Sequence, residues 1–218
     1  MKPIGTFRLR SERATVTDPC YEKGTWCAGT VGPVKQGVWQ GYVAMHNAGD
    51  WGNRVDKLIA LHEDQKGDTI GKWSMENFSV GVDSGSAGIF DFKKYPDDKE
   101  DLETWRFEVY DATDKNQYHA ATCGFGLASS SGYGDGGYTC YTHDKKDKIV
   151  GIMIDFGVGI PLRALLRVSK ELDRPFSDLL DQETRLQTLR ACRESLPLLL
   201  KIDKDLNAEI EQVLREKP

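Results

Sequence analysis

Nowhere in these 218 residues is there a run of about 18 apolar residues, so the sequence offers no candidate transmembrane helix. The opening Met1-Lys2-Pro3-Ile4-Gly5 has no apolar stretch of the secretory kind, and a cytoplasmic chain with no membrane partner is expected. Basic charge is in short supply. Lys and Arg number 29 against 34 Asp and Glu, a net charge of −5, whereas a nonspecific grip on nucleic-acid backbone calls for a basic surface. Nucleic acid is therefore not the expected partner. Five cysteines, an odd number without a secretion signal, do not suggest a disulfide framework.

Glycine and tryptophan are missing from one region only. All 22 glycines and all five tryptophans lie before residue 160, and the final 58 residues contain neither. That tail holds 11 basic and 11 acidic residues, so the net charge belongs to the part before it. The shift marks a boundary near Val158-Gly159-Ile160-Pro161. Residues 1–158 are expected to form a β-rich domain and 159–218 a helical extension.

Short alternating or apolar runs fill the first part, at 15–17, 37–45, 57–62, 78–82, 88–91, 105–110, 120–127, 139–141 and 148–156. Turn-forming clusters separate them at 47–50, 65–68, 114–116 and 144–147. Residues 95–104, charged and carrying Pro96, fit a helical turn or a loop. In the tail, Leu162, Leu165, Leu166 and Leu172 and then Phe176, Leu179, Leu180, Leu186 and Leu189 recur at helical spacing, with Asp173 a plausible N-cap. Leu198, Ile202, Leu206, Ile210 and Leu214 continue the stripe, which packs on the sheet or makes a homo-oligomer or partner surface through 162–215. The fold class expected is α+β, an antiparallel β-sandwich or open barrel followed by a helical segment.

Three constellations carry candidate chemistry. Thr17-Asp18-Pro19 opens a turn that continues through Cys20, Tyr21 and Cys27. The six residues between the cysteines exceed zinc-knuckle spacing, so the expectation is no metal site. Cys20, Cys27, Cys123 and Cys140, with His119 and His143, are the residues that would have to converge to make one; small buried apolar thiols are the plainer reading. Cys192 falls in a helical stretch. Next, Asp83-Ser84-Gly85 and Asp91 flank a small-residue turn without the alternating carboxylates of a calcium loop. Finally, Gly132-Tyr133-Gly134-Asp135-Gly136-Gly137-Tyr138 offers four glycines around one carboxylate, at the mouth of a hairpin. It lacks the Gly-Lys-Ser/Thr ending and following helix of a phosphate loop, and the preceding serines do not form a Gly-x-Ser-x-Gly elbow.

Binding candidates are thus Asp18, Tyr21, Asp83, Ser84, Asp91, Tyr133, Asp135 and Tyr138. No cofactor is expected, although Asp18, Asp83, Asp135 and Asp155 would accept a divalent cation if they clustered.

These residues carry a resemblance. Ser131-Gly132-Tyr133-Gly134-Asp135-Gly136-Gly137-Tyr138, with a strand ending in Ile154-Asp155-Phe156, resembles the signature of the bacterial domain-of-unknown-function family 4241. Val82-Asp83-Ser84-Gly85 with Ile89-Phe90-Asp91, and Thr17-Asp18-Pro19, resemble its two earlier motifs, in the same order over residues 15–157. Tyr133 stands where that family usually has tryptophan. The resemblance implies a β-rich fold and brings no activity with it. Two functions are weighed on these grounds. One is a binding protein for a protein or small molecule, such as an immunity protein or an inhibitor in a bacterial or phage conflict system. The alternative is a metal-assisted hydrolase of a phosphoester or nucleotide built on the aspartates.

Overall fold

Eleven strands and one α-helix organise residues 1–65 and 73–159, the part that the computed structural model describes. The strands are β1 (Lys2–Leu9), β2 (Ala14–Thr17), β3 (Gly29–Val31), β4 (Gly37–Asn47), β5 (Asn53–His62), β6 (Trp73–Val82) and β7 (Ser86–Asp91). Helix α1 (Lys99–Asp114) follows, then β8 (Ala120–Thr122), β9 (Gly126–Ser130), β10 (Gly136–Lys145) and β11 (Lys148–Asp155). They form a six-stranded sheet, β1-β4-β5-β11-β10-β6, and a five-stranded sheet, β3-β2-β7-β9-β8. Every pairing of these strands is antiparallel. The α+β class with two antiparallel sheets is as expected; the helical tail, its oligomer stripe and Cys192 lie outside the described residues. No helix among the described residues is long and apolar enough to cross a membrane.

Alternation decides which side chains face the partner sheet. Leu9, Val16, Trp39, Leu58, Val80, Ile89, Leu127, Ile152 and Ile154, drawn from both sheets, form one buried cluster. On β7 the neighbours of Ile89 point the other way, and Phe90 joins Tyr95, Leu102, Val109 and Ala128 in a second cluster beneath α1. Both faces of β7 are therefore covered, and all six of its residues are buried. Phe90 fits because its strand neighbours are glycine. A Cβ on Gly88 would lie 2.2 Å from Phe90 Cζ, and one on Gly126 2.3 Å from Phe90 Cδ1. Trp105 completes the cluster edge-on to Phe90 at 4.9 Å and stacked on Phe125 at 5.2 Å.

The expected strand at 105–110 is instead the middle of α1. Trp105, Phe107 and Val109 alternate like a half-buried strand, yet Phe107 is 60% exposed while Leu102 and Val109 are buried. The operative spacing is Leu102-Trp105-Val109-Ala112, one helix face. Asp98 starts it by accepting Asp101 N–H at 2.8 Å. The expected turn at 114–116 is the end of this helix, where Lys115 N–H returns to Asp111 O. The single strand expected over 120–127 is a hairpin, β8 and β9, folded back at Gly124 with φ of 60°.

This topology gives the sandwich two distinct ends. The glycine-rich segment 131–135 crosses from β9 in one sheet to β10 in the other, and opens the β10–β11 hairpin. The β2–β3 and β6–β7 connections lie at that same end, whereas the tip of the β10–β11 hairpin, 145–148, is at the other.

Candidate binding site at the loop end of the sandwich

Asp18, immediately after β2, is fully buried and holds this end together. Its Oδ1 accepts Cys20 N–H at 2.9 Å, a turn closed by an aspartate side chain two residues back, and Ser84 Oγ–H at 2.7 Å. Its Oδ2 accepts the N–H groups of Asp83 at 2.9 Å and Ser84 at 2.8 Å. A buried carboxylate is tolerated when its lone pairs are satisfied in this way. The first and second sequence constellations thus become one structure, with Ser84 as a second anchor.

Above Asp18 the surface begins. Tyr21 donates its hydroxyl to Asp83 Oδ2 at 2.6 Å, and that bond, with a smaller effect of burial, pushes the Tyr21 phenol up to about 12. Tyr95 Oη–H supports the turn from below through Tyr21 O at 2.7 Å. Lys23 holds the same loop to the segment before α1, donating to Phe92 O and Tyr95 O and pairing with Asp97. Trp26 lies across β6, where a Cβ on Gly81 would meet its ring at 2.4 Å, and stands edge-on to Tyr21 at 5.8 Å.

The glycine-rich loop is stitched to the same turn by two reciprocal bonds. Ser131 N–H donates to Gly85 O at 3.0 Å, and Gly85 N–H donates to Asp135 Oδ1 at 3.1 Å. Asp135 therefore faces the Asp83 turn. Gly132 takes φ of 63°, and a Cβ there would sit 2.6 Å from Val158 Cγ2, so the residue is glycine for both conformation and space. Tyr138 is a support. Its hydroxyl is shared between Ser131 O at 2.9 Å and Gly134 O at 2.6 Å, its ring packs on Phe156 at 5.0 Å, and burial first of all raises its pKa. Tyr133 points outward beside Trp51, centroids 6.3 Å apart, and Arg54 Nε holds the Trp51 carbonyl at 2.9 Å. Trp26, Trp51 and Tyr133 are 66%, 67% and 58% exposed.

A flank of this site comes from α1, which the strand expectation had hidden. Tyr110 Oη and Cys20 Sγ are 2.7 Å apart, with Arg106 Nη1 donating to the same sulfur at 3.9 Å. Burial, then the bond to Cys20, pushes the Tyr110 phenol well up. Trp51, Tyr95 and Tyr110 lie outside the three sequence constellations; Trp26 falls within the first, and its nearness in sequence to Asp18 is the signal that marks it.

The structure brings together Asp18, Tyr21, Asp83, Ser84, Tyr133, Asp135 and Tyr138, but not Asp91. That residue ends β7 at the opposite end of the sandwich, buried, and accepts Ser11 N–H at 2.8 Å, Lys93 N–H at 3.0 Å and Lys94 N–H at 3.2 Å, along with Arg10 N–H and Ser11 Oγ–H. Burial alone would raise its pKa, but these bonds outweigh it and hold the carboxyl below its ordinary value. Asp155 pairs with the fully buried Lys57 at 3.2 Å, and Asp56 takes the same ammonium at 2.9 Å. The cysteines are not gathered. Cys140 belongs to the core between the sheets and Cys123 to the aromatic cluster under α1, each with its thiol pushed up by burial. Cys27 is buried near Cys20, its thiol raised to about 12 by burial first and by Asp18 next. Among the described residues no three His, Cys, Asp or Glu are arranged to hold a metal ion.

No family model matches the chain, and no curated protein or solved structure matches it either.

Proposed function

We propose that the chain is a binding protein and that the loop end of its sandwich is a recognition surface for a protein partner. The observation that carries this reading is the exposure of Trp26, Trp51 and Tyr133 at one end of the sandwich, where Asp18 ties the Trp26 loop to the 83–85 turn and Gly85 ties that turn to the Tyr133 loop. Tryptophan and tyrosine supply most of the energy at many protein interfaces, and loops already held in place lose less entropy on binding. Asp83 and Asp135 among these rings favour a partner that presents Lys or Arg. An exposed aromatic rim also suits the broad face of a protein better than a small molecule, which needs concavity.

An acidic binding protein of this kind fits a bacterial or phage conflict system, as a cytoplasmic immunity protein or an inhibitor of a defence enzyme. That context is an analogy. Membership of family 4241 belongs to the same proposal and rests on the order of the three motifs. The hydrolase alternative draws less from the geometry: both oxygens of Asp18 are occupied by three N–H groups and a hydroxyl, and Asp155 is paired with Lys57.

The test is affinity capture from the source cells with the full chain, compared with Trp26→Ala/Tyr133→Ala and Trp51→Ala. A protein retained by the parent and lost with variants of unchanged melting temperature is expected. Equal retention by the variants, or a metal-dependent phosphoesterase activity lost in Asp135→Asn, overturns the reading.

A further inference from the structure

At the end away from the glycine loop, the β10–β11 hairpin tip and the β3–β4 connection enclose a cleft of about 560 Å³. It is lined by Lys35, Lys145, Lys146 and Lys148, with Asp64 and Gln65 on the opposite wall. The cleft size falls within the range of roughly 300–1,000 Å³ that small ligands occupy. Asp64 answers Lys35, whose hydrogen bond first of all holds the Asp64 carboxyl below its ordinary value. Lys148 pairs with Glu12 at 3.0 Å, and Lys145 and Lys146 make no ion pair among the described residues. Asp144 and Asp147 share the hairpin but do not line the cleft. Lys146 and Asp147 both adopt positive φ, 52° and 59°, which sets the tip of the hairpin.

The donors beside the lysines are already taken. Asp64 N–H donates to His62 Nδ1 at 3.1 Å, which leaves His62 Nε2 to carry the proton toward Gln36 O at 3.2 Å. Gln65 also lines the cleft, with its Nε2 buried and without an acceptor among the described residues. Four ammonium groups around one carboxylate ask for an anion of several negative charges.

We propose that this cleft binds a small phosphate anion of multiple charge, a polyphosphate or nucleotide, with Lys35, Lys145 and Lys146 contacting its oxygens. Ammonium groups serve phosphate as mobile point charges. The chain's net charge of −5 opposes a long polyanion, but a small one senses the field over roughly 8 Å at physiological salt, where the lysines dominate. This site is independent of the aromatic rim, and either can fail without the other.

Isothermal titration calorimetry of the full chain at physiological ionic strength, with sodium tripolyphosphate, ATP and inorganic phosphate in separate runs, tests it. Tripolyphosphate or ATP should bind more tightly than inorganic phosphate; equal affinities mean that the phosphate chain suffices, tighter ATP that the nucleoside is also read, and both support the site. Lys35→Gln/Lys145→Gln should weaken binding at least tenfold. Asp64→Asn, which removes the resident carboxylate, should tighten it several-fold, and Lys99→Gln on α1 should leave it unchanged, with all melting temperatures in the absence of anion within a few degrees. Absence of heat at millimolar anion, loss equal in the Lys99 control, or tighter binding of a single-stranded oligonucleotide than of tripolyphosphate overturns the proposal.

Discussion

Tyr21 and Asp83 meet phenol to carboxylate at 2.6 Å although 62 residues separate them in the chain. The bond keeps Tyr21 neutral up to about pH 12, above the ordinary tyrosine value of about 10. A folded-state value raised in this way stabilises the fold fully below about pH 10, and that contribution disappears as pH rises through 12. Asp83→Asn should therefore bring one tyrosine ionisation back toward about 10, read as phenolate absorbance against the parent. An unaltered titration would count against the bond.

Asp18→Ala should be the most damaging substitution at the loop end. It strands the N–H groups of Cys20, Asp83 and Ser84 in a part-buried setting, a loss of about 1–3 kcal/mol by the usual penalty for unsatisfied donors. Urea denaturation gives the number; a loss below about 1 kcal/mol would mean that water replaces the carboxylate.

Acid should act through Asp91. Its folded-state value is depressed, so its contribution is complete above the unfolded value of about 3.9 and is lost as pH falls through the lower folded one. Asp91→Asn should lower stability at neutral pH and flatten the acid limb of the stability profile. A parallel acid limb in parent and variant would show that Asp91 does not titrate there.

Gly126→Ala should destabilise despite an ordinary backbone conformation. The new Cβ would lie 2.4 Å from Ile89 O and 2.3 Å from Phe90 Cδ1, and the carbonyl cannot move without disturbing the β7–β9 ladder. Overpacking of this kind costs about 1–3 kcal/mol. Gly134→Ala, where φ is 113° but space is open, tests backbone strain without a clash. Melting curves of the two variants separate the effects.

The sheets were legible because a half-covered strand such as β4 alternates and strands covered on both faces, such as β5 and β11, read as apolar runs; 37–45, 57–62 and 148–156 fall within these three or just beyond their ends. The edge strand β1 was not, since Pro3 and Gly5 break its pattern and six of its eight residues face outward or are only half covered. The 105–110 segment misled because a helix that half-buries Trp105 and buries Val109 while exposing Phe107 alternates over five residues as a strand does. Site residues were legible where turn chemistry needs particular types, as with Asp18-Pro19 and the glycines around Asp135. Asp91 shares that turn chemistry, and only the length of β7 separates it from the others. The cleft lysines were invisible because Lys35 and Lys145 are 110 positions apart in the numbering and adjoin only through the Val34–Ile149 bridge.

The two clips on the 83–85 turn span 66 residues to Asp18 and 50 to Asp135. Loops of that size must lose their closure entropy before either bond can form, so the loop end has to assemble late, after the strands on both sides have paired. A peptide cut around any one of the three motifs would hold the right residues and none of their arrangement.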